Sequence, residues 1–555
     1  MYKLYIIIAL FCFQQINSQG FRSPLDIPLL LSGNFGELRS NHFHSGLDFK
    51  TQGVVGKPVY AVQDGYVSRI SVSPWGFGYA LYLEHPNGTT TVYGHLESFS
   101  AEIAKYVKNK HYEEESYNLN VFLKPNEIPV KQGEVIARSG NRGSSGGPHL
   151  HFEIRDTKTE ETIDAIGYYK KKMDDTRPPK IQGILVCPIE GKGVVNGSDR
   201  KLELKPVTNK DGKQSFAAKI EAWGEIGLAI KANDYMDNTS NVYGVKDIEL
   251  RLDNQIIYQS NLDRFAFDET RYINSLVDYE LLKKQHISYM KSYVEPGNKL
   301  RFIKRVNNGI INIDKAQTYL LTYRLKDAFD NSATVTIRIE GKKQPIPKAD
   351  TNGELFHWNK ENRFGAKGIR LNIPKGNLYN DFYFRYSVKE DEKALSETHI
   401  LHENIVPIHK SVQLSLRLQN DTLDNKRQYG IVRVQNGNSS WIGGTYRNGW
   451  VDADIREFGS YTISQDTKAP VITPINPKTW VGKQAFTFRL SDNLSGIDTY
   501  RGEIDGKYIL FEMNNRSVIT YKFDKERLKR GKHTLKLIVT DAAGNEAAYT
   551  YPFIW

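Results

Sequence analysis

Gly146-Gly147-Pro148-His149-Leu150-His151-Phe152-Glu153 decides how the first third of the chain is read. In an extended strand, residues two apart face the same side, so His149 and His151 are expected to point into one site. Alone, a His-x-His pair is weak evidence for a metal. Its neighbourhood strengthens it: seven of the thirteen histidines fall before residue 152. Upstream stand Asn41-His42-Phe43-His44-Ser45-Gly46-Leu47-Asp48-Phe49 and Thr91-Val92-Tyr93-Gly94-His95-Leu96. His44 and Asp48 share a side if the chain there is extended. Thr89, Thr91, Tyr93 and His95 alternate likewise, which places His95 at a strand end. His85 and His111 stand alone and read as surface or turn residues.

Three histidine clusters in one short, Gly-rich β segment favour a metal site. A catalytic zinc takes three protein ligands from His and carboxylate and keeps a position for water, whose pKa falls to about 7. His-x-x-x-Asp plus a distant His meets that count. A further histidine near such a site can relay protons or stabilise a developing oxyanion, typically contributing about 10²–10⁴-fold.

Across about residues 30 to 156 these motifs resemble the M23 peptidases, the lysostaphin and LytM type zinc endopeptidases of bacterial cell walls. The resemblance rests on His44-x-x-x-Asp48, Tyr93-Gly94-His95-Leu96 and His149-Leu150-His151-Phe152-Glu153. Pro58-Val59-Tyr60-Ala61, Asp64-Gly65-Tyr66-Val67, the strand before His85-Pro86-Asn87-Gly88, and Val130 to Glu134 before Gly140 to Gly143 extend it. It implies that His44, Asp48 and His151 hold zinc and that His95 and His149 are the paired catalytic histidines. It also implies a peptidoglycan peptide as substrate. All five residues are present, whereas some relatives have lost ligands and activate other wall hydrolases. Glu153 and His42 stay outside the expected site, Glu153 as a carboxylate that orients a histidine or forms a salt bridge and His42 as a residue lining the cleft. One departure is the long charged stretch between Leu96 and Val130, an insertion over 97–129 that includes Glu113-Glu114-Glu115. It reads equally as a cleft-narrowing loop and as a surface insertion.

The remainder of the chain sets the architecture. At roughly 100–200 residues per domain, 555 residues predict several domains. Aromatic residues at 12% are ample for burial, and the low mean hydropathy of −0.52 argues against a multi-span membrane protein. Met1 to Ser18 reads as a removable secretory signal: Lys3, then an apolar run from Leu4 to Phe13 too short to span a membrane. Cys12 follows Phe11, where a lipoprotein cut needs a small residue, so neither lipidation nor a transmembrane anchor is expected after signal removal. Only Cys187 then remains, read as a buried strand residue.

Two similar linkers, Asp175-Thr176-Arg177-Pro178-Pro179 and Asp466-Thr467-Lys468-Ala469-Pro470, each introduce a β-rich stretch. The stretches end alike, on Asp327-Ala328-Phe329-Asp330-Asn331 and Asp541-Ala542-Ala543-Gly544-Asn545 before a last strand. These Asp/Asn segments lack a defined oxygen-ligand loop and read as hairpin turns rather than calcium sites. A mainly β chain is expected: a LytM-like antiparallel β metallopeptidase domain over 19–175, followed by several β-sandwich domains. Those would be an immunoglobulin-like sandwich over 176–345 with a helical insertion around Leu262 to Tyr293, a β-rich domain over 346–465, and an immunoglobulin-like sandwich over 466–555. Val412 to Leu418 alternates strictly.

Residues 19–175 hold 17 Lys and Arg against 19 Asp and Glu, so the net +11 belongs to the tail. A basic tail suits an anionic envelope polymer, or simply reflects solvated Lys-rich sheet faces. No nucleic-acid motif is present. Two other functional classes remain in view: a noncatalytic wall-binding regulator of other hydrolases, and an envelope scaffold or adhesin.

Overall fold

The structure is a computed structural model that describes residues 20–210, 214–514 and 517–555. The expected signal, 1–18, lies outside the described residues. The chain is 47% strand and 9% helix, as the sequence predicts for a mainly β protein. No described helix is long and apolar enough to cross a membrane.

The His149–Asp156 strand lies at the centre of the N-terminal part. It pairs antiparallel with Leu47–Lys50 on one side and with Thr89–Leu96 on the other. The sheet then continues through Tyr79–Glu84 and Gly65–Val72 to Leu119–Phe122. Alternation sorts the central strand's side chains. Leu150, Phe152 and Ile154 are fully buried, and Phe152 packs against Phe49, Tyr93 and Tyr169. His149, His151 and Glu153 occupy the opposite face. A small second sheet of Pro58–Tyr60, Val135–Arg138 and Ser98–Phe99 adds Val59, Ile136 and Phe99 to the same core.

The 97–129 insertion is ordered. Its centre is the helix Ala101–Glu113, which buries Ile103, Val107 and His111 at a spacing of four, one face of a helix. It then returns to the main sheet as Leu119–Phe122.

Beyond Asp175, the long strands Lys180–Val195 and Glu221–Asn233 pair within a ten-stranded sheet. Cys187 is buried there. The expected helical insertion contains Ile273–Leu276 and Tyr279–Gln285, the latter capped by the Asp278 side chain accepting from Leu281 N. The insertion also contributes Arg264–Phe265, which pairs with Thr162–Ile163 at the edge of the N-terminal sheet. Phe265 is buried between Phe35 and Phe43, so one hydrophobic core runs continuously from the N-terminal part into the following sheet.

Two five-stranded sheets follow, with their own core. Val412–Arg417 there buries Val412, Leu414 and Leu416 as its alternation predicts. The last 90 residues form two four-stranded sheets over a third core around Trp480, Phe486, Phe488 and Leu537.

Candidate metal centre

Register brings the expected ligands together. His151 lies directly opposite Asp48 on the neighbouring strand, and His44 stands four residues before Asp48. His44 Nε2 is 3.0 Å from Asp48 Oδ1 and 3.1 Å from His151 Nδ1, and His151 Nδ1 is 3.0 Å from Asp48 Oδ1. All three residues are buried.

The far side of each imidazole settles its tautomer. His44 Nδ1 lies 2.7 Å from the Asn34 carbonyl, which can only accept, so Nδ1 carries the proton and Nε2 presents a lone pair. His151 Nε2 lies 2.8 Å from Glu153 Oε1, so its lone pair is on Nδ1. In the neutral rings two imidazole lone pairs and a carboxylate oxygen thus converge. Burial lowers the His151 pKa, but Asp48 and Glu153 outweigh it and raise it to about 9, so a metal binding here displaces a proton from its Nδ1. Their edges of 3.0–3.1 Å approach the roughly 3.3 Å expected between ligands of a tetrahedral ion with bonds of about 2.0–2.2 Å. This donor set fits a divalent metal, with the carbonyl and carboxylate behind the histidines in the usual orienting role.

Glu153, outside the expected site, therefore belongs to its support. It is fully buried, ion-paired with Arg155 at 2.6 Å and accepts from the Ser45 hydroxyl. Burial pushes its carboxyl up, but Arg155, His151 and Ser45 outweigh it and hold the pKa at about 2. Asp48 is likewise held far below the usual carboxylate range: its histidine neighbours overcome the cost of burial. Arg39 reaches its second oxygen at 3.2 Å. Gly33 is needed beside that pair, since a Cβ there would sit 2.6 Å from Arg39 Nη2 and 2.8 Å from Asp48 Oδ2.

His95 reaches the site by a departure from alternation. Strict alternation places it on the side of Tyr93, which is wholly buried in the core. The pairing with Tyr79–Glu84 shifts register between Tyr79 and Leu81, and His95 takes a left-handed φ of 57°. This bulge turns the ring to stand 4.7 Å from His149, centroid to centroid. His95 Nδ1 bonds the Arg142 carbonyl and His149 Nδ1 the Gly147 carbonyl, both at 2.8 Å. Each neutral ring thus carries its proton on Nδ1 and leaves Nε2 as an acceptor. His149 Nε2 lies 3.4 Å from Asp48 Oδ1. Burial and the neighbouring histidines push His95 down to about 3, so it is neutral at pH 7.

The other early histidines differ from expectation in part. His85 and His111 are buried rather than at the surface. His85 bonds Asp64 O and Thr91 Oγ1, and His111 bonds Ser116 O and stacks on Tyr117. Their lack of nearby sequence partners concealed this, because their partners are backbone and hydroxyl groups. His42 is exposed.

Residues 42–112 and 108–165 match the model of peptidase family M23. Residues 42–165 form an M23 peptidase domain. Residues 353–466 match a Zu5-like domain, within the stretch expected to be β-rich. The chain is 32% identical over 118 residues to a DD-carboxypeptidase/endopeptidase of Neisseria meningitidis, covering 21% of each chain. It is 32% identical over 111 residues to the peptidoglycan DD-endopeptidase ShyB of Vibrio cholerae, covering 20% of each. The chain thus spans about a fifth of the length of these curated relatives. Among solved structures, the catalytic domain of lysostaphin from Staphylococcus simulans aligns at 23% identity, with 26% of this chain and 92% of that one covered and a TM-score of 0.20.

The M23 domain packs against the last module near the groups that hold His95 and His149. A cavity of about 640 Å³ is lined by Ser73, Asn141, Arg142 and Ser145 on one side and by Glu512, Met513 and Lys522 of the last module on the other. Arg142, whose carbonyl holds His95, is bonded to Glu512 at 3.3 Å. The insertion helix makes the rest of the contact. Lys108 pairs with Asp524 and Glu526, and Arg527 stacks on Tyr112 at 3.7 Å. The charged insertion is therefore the seat of the C-terminal module.

Proposed function

We propose that the protein is an exported zinc metalloendopeptidase that hydrolyses peptide bonds in the stems or cross-bridges of bacterial peptidoglycan. The observation that carries this reading is the convergence of His44, Asp48 and His151 beside the His95–His149 pair, inside a segment that matches family M23. The curated relatives, named for endopeptidase and carboxypeptidase action, support the substrate class, and through it a place in the cell envelope.

His44, Asp48 and His151 would hold the zinc, which when bound supplies Lewis acidity and a lowered water pKa. The chain's own groups do the rest. Asn34 O and Glu153 fix the ligand tautomers. Arg142 O and Gly147 O keep the Nδ1 protons of His95 and His149 in place, so their Nε2 atoms accept a proton from the attacking water. The resulting imidazolium is a donor for the charge on the carbonyl oxygen and an acid for the departing amine.

The test is to incubate the purified protein with peptidoglycan, with and without a chelator, and identify products by mass spectrometry. New peptide termini that disappear with chelator are expected. Unchanged peptidoglycan with tight wall binding would replace this reading with that of a noncatalytic regulator or scaffold.

A further inference from the structure

Two groups of three carboxylates stand at matching places in the chain, far from the histidine centre in sequence. Asp175, Asp234 and Asp327 bring one oxygen each within 4.8 Å of one another, and Asp466, Asp492 and Asp541 do the same. In each group the first aspartate opens the linker before a β module. The second directly follows that module's second long strand, Glu221–Asn233 or Ala485–Ser491. The third opens the turn before the last strand.

The hydrogen bonds repeat as well. Asn331 Nδ2 donates to Asp175 O at 3.1 Å and to Asp327 Oδ2 at 2.8 Å. Asn545 Nδ2 donates to Asp466 O at 3.0 Å and to Asp541 Oδ2 at 2.8 Å. The Asn331 and Asn545 amides complete the pattern on Asp327 Oδ1 and Asp541 Oδ1.

Turn formation explains the third aspartate of each group and Asp492 Oδ2, which accepts from Leu494 N and Gly496 N at 2.9 and 2.8 Å, but it does not explain Asp234. Asp234 is only 5% exposed, yet its Oδ1 has no hydrogen-bond partner, and Asp175 Oδ2 and Asp492 Oδ1 are also buried without one. A buried, unpaired carboxylate oxygen beside two further carboxylates is costly twice, by desolvation and by repulsion. Burial first, then Asp327, push the Asp234 carboxyl up to about 8. Arg177, the cationic group that counteracts this, bonds the Met236 carbonyl at 3.2 Å and is stacked on Tyr235. A donor set made only of carboxylate oxygens suits a hard cation of the calcium type, not zinc.

We propose that each triad is a calcium-class divalent-cation site that ties an interdomain linker to the root of the module that follows it. Each cation joins the linker aspartate to two otherwise repelling strand-end carboxylates. The second site also fixes how the last module leaves the Zu5-like segment, and so where Glu512 comes to lie.

The test is calorimetric titration of CaCl2 into the full chain, with zinc supplied so that the histidine centre is filled. Two calcium equivalents are expected, with affinities of about 10⁻⁴–10⁻³ M, as in extracellular modules. Asp234→Asn removes one equivalent and Asp492→Asn the other. Thermal unfolding is the second readout. Without calcium, Asp234→Asn melts above the wild type at pH 7 because no proton has to be taken up on folding; at saturating calcium the order reverses. Absence of calcium heat together with an unchanged melting temperature overturns the proposal. So does a stoichiometry that neither substitution changes, and loss of binding to only one of the two variants overturns the pair.

Discussion

The two imidazoles expected to hold the metal, His44 and His151, are each held from behind by a group that can only accept, and this makes the residue scale sharply testable. Asp48→Ala or His151→Ala is expected to lose bound zinc, measured by atomic absorption after dialysis. His95→Ala and His149→Ala keep the zinc and lose about 10²–10⁴-fold in turnover. Metal that survives both ligand substitutions would refute the ligand set. Glu153→Gln leaves His151 a poorer acceptor and strands the buried Arg155. Zinc affinity should fall about 10–100-fold, and unfolding free energy by about 3–5 kcal/mol, read by denaturant titration. Asp234 gives a pH dependence of opposite sense to ordinary acid denaturation. Its folded pKa of about 8 exceeds the unfolded value of about 3.9. The folded chain therefore holds a proton the unfolded chain has released, and in chelator this group's contribution falls as pH rises from about 4 to about 8. Asp175, pushed up to about 6 by burial, acts in the same sense, while Asp327 and Arg177 face the same point. Melting temperatures in chelator across that range should drop for the wild type and drop less for Asp234→Asn.

At the scale of elements, period-two alternation made much of the site legible. His149 and His151 do share a face, and His44 and Asp48 meet them through strand register. Alternation failed at His95, where a bulge and a left-handed residue reverse the side; Gly94, an isolated glycine inside the strand pattern, is the one local signal of such a break, and it does not say which way the next side chain turns. The acidic triads read as turns in the sequence because each brings together three segments far apart in the chain, and local spacing sees only the last. The strand Arg264–Phe265 was equally hidden: the helix-like spacing around it gave no sign that it completes the N-terminal sheet. Its consequence is large. Phe265 is fully buried against Phe35 and Phe43, so Phe265→Ala should cost about 3–5 kcal/mol. A chain ending at Asp175 would expose the same phenylalanines and is expected to be aggregated or loosely packed. Circular dichroism melting of that truncated chain should lack the cooperative transition that the full chain shows; a sharp, reversible transition would mean that the shared core is dispensable.

At the scale of the whole molecule, composition foretold several modules and a basic tail but not that the tail folds back on the catalytic part. The last module has its own core and lends only the partly buried Tyr500, Leu510 and Met513 to the edge of the first one, so its removal takes no fully buried residue from the preceding cores. Its contacts converge on the insertion helix and on Arg142, one carbonyl away from His95. Glu512 forms the far wall of the cavity beside Arg142 and Ser145, the groups that hold His95 and His149, and Lys522 lines the same space. A wall of charged and polar groups next to a cleft binds the remoter parts of a substrate, and such binding appears in KM when it is equal in ground and transition states. A chain ending at Gln465 should therefore retain zinc and kcat on a small peptide while KM for cross-linked peptidoglycan fragments rises about tenfold, equivalent to roughly 1.4 kcal/mol of binding. Glu512→Ala should reproduce part of that rise without loss of the module. If truncation instead raised kcat/KM, the module would be a restraint that covers the cleft, and Lys108→Ala, which cuts the pairs to Asp524 and Glu526, would accelerate the full chain in the same direction.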